Sequence, residues 1–140
     1  MQKMLTASKD GTIYIWSLGK EHEDEDYLNY VADWQLDEPL TRAKWLTEKT
    51  ILVSTTFGNL YALQLSKDDQ GVECLLRPKL LYSAEHAVAI WDLQTYSAGA
   101  SCLQLWLAED SGKVMQLDLE NEETLQVTSK VLLHVSRKEY

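Results

Sequence analysis

Cysteine is nearly absent from this chain of 140 residues: Cys74 and Cys102 are the only two. Two irregularly placed thiols cannot form a disulfide framework or a zinc site. They read as reduced core cysteines of an intracellular protein, in the cytoplasm or the nucleus. No apolar run approaches the ~18 residues that a spanning helix needs, and the opening MQKMLTASKDG has no signal-peptide hydrophobic region. No membrane partner is therefore expected. Basic residues are scarce, 13 Lys and Arg against 22 Asp and Glu, which leaves a net charge of -9. Nucleic-acid backbones reward the opposite sign, so DNA and RNA are not expected partners. Catalytic motifs are missing as well: no G-x-S-x-G elbow, H-E-x-x-H, phosphate loop or paired carboxylates at strand ends occurs. His22, His86 and His134 are scattered. The expectation is a non-enzyme without cofactor or metal. Hydrophobic content of 45% and charged content of 25% remain ordinary for a globular protein.

What is present is alternation with a period of two. Thr12 to Leu18 is rich in β-branched and aromatic residues, and Met4 to Ser8 precedes it across the turn Lys9-Asp10-Gly11. That combination predicts a hairpin closed by Asp-Gly, in a turn where both residues take positive φ. The shape returns twice. Ile51–Thr55, Phe57-Gly58 and Asn59–Leu65 make a second strand–turn–strand unit; Leu105–Ala108, Ser111-Gly112 and Lys113–Leu119 make a third. The turn glycines stand at 11, 58 and 112, a period near 50 residues, which points to a propeller or another repeat array. Further strands are expected at 27–36, 40–45, 72–76, 79–82, 87–93 and 125–135. The only prolines, Pro39 and Pro78, fall at strand boundaries or on an edge strand.

The first hairpin, Leu5 to Ser17 with Asp10-Gly11 and Trp16-Ser17, closely resembles the WD40 repeat. The resemblance implies an all-β WD40-type propeller segment of about three four-stranded blades, at 1–36, 40–82 and 87–135, the first lacking its inner strand. It also implies a hydrogen-bonded structural network. Ser8, Asp10 and Trp16 would supply it in the first blade around Gly11, and His86, in Ala84-Glu85-His86, would be the remnant of the Gly-His that opens a repeat. In the second unit Phe57 and Leu63 replace the turn Asp and the Trp, so packing rather than polar networks is expected to hold the later blades. Propellers close with roughly four to eight blades. Further blades are thus expected from a longer chain, a partner chain or a second copy.

Function follows from the resemblance: a non-catalytic protein–protein interaction scaffold within a multiprotein complex. The stretch 40–65 is also similar in outline to a repeat of the WD40 cofactor of an arginine methyltransferase complex, so a cofactor subunit of an enzyme complex is the alternative, with a WD40-type hydrolase behind it. Two surfaces are candidates for binding. Trp34, beside Asp33, is the tryptophan expected to be most exposed. The acidic run Glu21-His22-Glu23-Asp24-Glu25-Asp26 is read as a solvated loop that attracts cationic groups.

Overall fold

A computed structural model describes residues 2–22, 25–97, 103–120 and 125–133. The described residues form three antiparallel sheets and no α-helix. The first sheet contains β1 (Gln2–Ala7), β2 (Thr12–His22) and β3 (Glu25–Gln35), in that order. The second runs β4 (Leu40–Trp45), β5 (Thr50–Thr55) and β6 (Asn59–Lys67). Its outer edge is shared by two short strands, β7 (Glu73–Leu75) and β8 (Lys79–Ser83), which pair with opposite ends of β6. Pro78, lacking an amide donor, lies in the interruption between them. The third sheet is β9 (Ile90–Ser97), β10 (Leu103–Glu109), β11 (Val114–Leu119) and β12 (Val127–Leu133). Cys74 lies half-buried on β7; Cys102, His134 and the strand end expected at 134–135 fall outside the described residues.

Each repeated hairpin closes in the same register. Ala7 faces Ile13, Ser54 faces Leu60 and Ala108 faces Val114. The turns differ from the expected form. Gly11, Gly58 and Gly112 have φ of 96°, 82° and 86°, whereas Asp10 is not among the positive-φ residues. Each glycine amide donates to the carbonyl three residues earlier, Ser8, Thr55 or Glu109. This is a type I turn followed by one left-handed glycine, the three-residue hairpin loop. Only the glycine position needs an unusual backbone, so the preceding residue is free to be Asp, Phe or Ser.

Side-chain parity stacks the sheets. β5 is buried along its whole length. Ile51, Val53, Leu63 and Leu65 share a core with Ile13, Ile15 and Ala32 of the first sheet. Leu52, Leu60 and Ala62, one residue out of phase, share the other core with Leu93, Leu105, Leu107, Leu117 and Leu119 of the third sheet. Adjacent strand residues point to opposite faces, so this alternation covers the second sheet on both sides. The linkers are pinned alike: Leu36 N donates to Gly11 O at 2.9 Å, and Ala84 N to Gly58 O at 2.8 Å. The strand expected at 87–93 is the start of β9, preceded by a 3-10 turn at Glu85–Ala87.

Candidate functional site

Register equivalence identifies a surface. Counted from the turn glycines, Met4, Thr6, Tyr14, Trp16 and Leu18 of the first sheet occupy the places of Ile51, Val53, Tyr61, Leu63 and Leu65 in the second. In the third those places hold Leu105, Leu107, Met115, Leu117 and Leu119. The second-sheet set packs on the first sheet, and the third-sheet set packs on the second. The first-sheet set packs on nothing described. It lies on an open face that continues onto β3 with Leu28 and Tyr30, 46% and 59% exposed. Trp16 stacks at 5.5 Å from Tyr14 and meets Tyr30 edge-on at 6.5 Å. A bulge between Ile15 and Trp16 puts Tyr30 and Asp33 on one face, where the Tyr30 hydroxyl donates to Asp33 Oδ2 at 2.7 Å. That bond to a carboxylate raises the Tyr30 pKa.

The residues expected to form one network are divided between two. Trp16 Nε1 donates to Thr6 Oγ1 at 2.9 Å, not to Ser8. The ladder sets Trp16 opposite Met4, with Thr6 its diagonal neighbour on the same face and Ser8 two residues further away. Ser8 and Asp10 serve the turn instead: Asp10 N donates to Ser8 Oγ at 3.4 Å and Thr12 N to Asp10 Oδ1 at 2.8 Å. The bonds from Thr12 hold the Asp10 carboxyl below its usual pKa. Gly11 fits tightly, since a Cβ there would stand 2.1 Å from Leu36 O. His86 is exposed with φ of 60°, in the turn before β9, away from all four.

Packing alone does not hold the second sheet, contrary to expectation. Glu38, in the linker before β4, accepts from Thr55 Oγ1 at 2.8 Å and Asn59 Nδ2 at 2.6 Å, and from the Tyr61 hydroxyl. Thr55 Oγ1 in turn accepts the amides of Phe57 and Asn59, each at 3.2 Å. Burial and the bond to Glu38 push the Tyr61 pKa up to about 12. In the third sheet Glu109 takes the place of Ser8 and Thr55 and accepts from the buried Tyr82 hydroxyl at 2.8 Å. Burial, then Glu109, raises the Tyr82 pKa. The one available signal was a carboxylate immediately before the strand following Pro39; nothing local paired it with Tyr61.

The proposed binding residues are placed as follows. Trp34 faces Ile13 across the ladder and packs partly buried against the core, so it is not the most exposed tryptophan. Trp91 and Trp106 are more exposed, at 50% and 41%. Asp33 is exposed. The acidic run is not a free loop: Glu21 belongs to β2 and Glu25 and Asp26 to β3, with Lys20 facing Asp26 and His22 facing Glu25. Glu23 and Asp24 lie outside the described residues. Among the described residues no group of three or more His, Cys, Asp or Glu could hold a metal ion, and no helix is long and apolar enough to cross a membrane. No protein-family model and no curated protein matches this chain.

Proposed function

We propose that the chain is a segment of a WD40-type propeller that acts as a non-catalytic scaffold for protein–protein interaction. One observation carries this reading. The open face of the first sheet repeats, position for position, the faces by which the second and third sheets pack on their neighbours. A contiguous exposed face of large apolar and aromatic side chains is the mark of a protein-binding surface. The propeller reading is supported by the four-stranded third sheet, by the second sheet, whose fourth place is shared by the short β7 and β8, by the period of the turn glycines and by the face-to-face stacking. Blades at 1–36, 40–82 and 87–135 remain its natural division, and the further blades would come from a longer chain, a partner chain or a second copy.

Affinity purification of the full chain from cells tests this with two variants. Leu28→Asp with Tyr30→Asp places charge on exposed positions of the open face, where folding is little affected. Neutralising Glu21, Glu23, Asp24, Glu25 and Asp26 leaves that face intact. The proposal predicts that the first variant loses partners retained by wild type. Partner recovery unchanged in the first and lost in the second would move the binding surface to the hairpin tip.

A further inference from the structure

The inner edge of the first sheet is the second feature that the repeats leave open. β5 and β10 are each flanked by an inner strand, β4 or β9, whereas β1 pairs only with β2. Ser8 N donates to Thr12 O, so ladder alternation turns the amides of Lys3, Leu5 and Ala7 to the unpaired side. A cavity of about 790 Å³ lies beside this edge, between Leu5, Ala7, Ser8 and Lys9 of the first hairpin and Leu40 to Ala43 of β4. A second, of about 430 Å³, lies at the other end, between Lys3 and Trp45.

The two inner strands show what the slot accepts. Leu40 and Ile90 stand opposite Thr55 and Glu109, the equivalents of Ser8. The next residue bulges in both strands: Thr41 in β4, Trp91 in β9. Arg42 and Asp92 then face the equivalents of Ala7, Ala43 and Leu93 those of Thr6, and Lys44 and Gln94 those of Leu5. One backbone bond repeats as well. Thr56 N donates to Pro39 O at 3.0 Å and Asp110 N to Ala89 O at 2.8 Å; no described residue accepts from the equivalent Lys9 amide. Between neighbouring inner strands, like positions meet: Arg42 Nε lies 3.5 Å from Asp92 Oδ1, and Lys44 Nζ donates to Gln94 Oε1 at 3.0 Å. A strand laid on β1 by the same rule would set its own third and fifth residues against Arg42 and Lys44, with Lys9 beside them.

We infer that the β1 edge binds an extended acidic segment of a partner protein by antiparallel strand addition. The segment reads apolar, small polar, acidic, small aliphatic, acidic. Main-chain bonds to Leu5, Ala7 and Lys9 supply affinity, and the two acids facing Arg42 and Lys44 supply selection. In a chain of net charge -9, this local run of cations is what an acidic segment can approach. The inference rests on the protein-binding reading above in one respect, that the ligand is a polypeptide.

A synthetic peptide containing Leu-Ser-Asp-Ala-Glu, titrated into the full chain, is the probe. Affinity is read calorimetrically and amide exchange by NMR. Saturation is expected to slow exchange at Leu5, Ala7 and Lys9, and replacing both acids by lysine to weaken binding at least about tenfold. Ala7→Pro removes one edge donor, and Arg42→Glu, at an exposed position, reverses the selecting charge; each is expected to weaken binding about tenfold. Binding without protection of these amides, equal affinity for the lysine peptide, or no saturable binding overturns the inference. If the Leu28/Tyr30 variant loses its partners while the peptide fails, the slot alone is refuted. If that variant keeps its partners, the open-face reading fails instead.

Discussion

Gly58→Ala is expected to destabilise the protein by at least about 3 kcal/mol, against about 1 kcal/mol for Gly112→Ala. Both glycines sit in left-handed backbone, with φ of 82° and 86°, so the conformational strain of a Cβ is common to both. Their surroundings separate them. A Cβ at Gly58 would stand 2.5 Å from Val88 O and 2.9 Å from Ala84 Cβ, whereas at Gly112 no described atom lies within 4 Å. The close approach at Gly58 comes from the linker to the third sheet, whose Ala84 amide donates to Gly58 O. A backbone carbonyl and a Cβ fixed to the backbone leave no flexible side chain to yield, so the clash adds to the strain. Chemical denaturation of the two variants measures the difference. Equal costs would mean that the linker does not lie against the turn.

Glu38→Ala is expected to cost about 2–4 kcal/mol, although Glu38 is neither in a strand nor in an apolar core. Its carboxylate is the shared acceptor for Thr55, Asn59 and Tyr61, and Thr55 is fully buried. Removing it strands three donors at once, and leaving polar groups unpaired costs more than the bonds themselves contribute. Glu38→Gln keeps one carbonyl acceptor and should cost less than half as much. The network also predicts alkaline behaviour. The folded pKa of Tyr61, about 12, lies above its ordinary value of 10.0. A raised pKa means that its stabilising contribution is complete below pH 10 and is lost as pH rises through about 12. In Glu38→Gln, with the carboxylate gone but burial unchanged, tyrosinate absorbance should appear at lower pH and the alkaline unfolding midpoint should fall. Coincident titrations of wild type and variant would exclude the network.

The hairpins were legible in the sequence because their determinants are local. Alternation fixes the strand faces, and a glycine at a constant offset fixes the turn, so equivalent registers follow at 7 and 13, 54 and 60, 108 and 114. The turn type was misread because Asp-Gly suits two hairpin loops, and the one adopted needs left-handed backbone at the glycine alone, so that Phe57-Gly58 and Ser111-Gly112 close in the same way as Asp10-Gly11. Exposure of the tryptophans was misread for a different reason. A single bulged residue reverses side-chain parity, and the shift in the pairing of β9 with β10 leaves Trp91 unpaired, whereas Trp34 faces the core residue Ile13. The Glu38 network was beyond local reading, because Glu38 lies 17 to 23 residues before its three donors and meets them only when the linker folds back over the turn. The open face was equally hidden. Met4, Tyr14, Trp16 and Leu18 alternate as core residues do, and only the stacking order reveals that nothing described covers them.

Oxidative footprinting of Met4, Tyr14, Trp16 and Tyr30, in the free chain and in its complex purified from cells, tests the central claim most directly. The account predicts rapid labelling of all four in the free chain, with Leu52 and Leu117 unlabelled in both states, and protection of the four in the complex. Labelling of the four that is unchanged by complex formation would contradict the claim that this face is where the protein meets its partner.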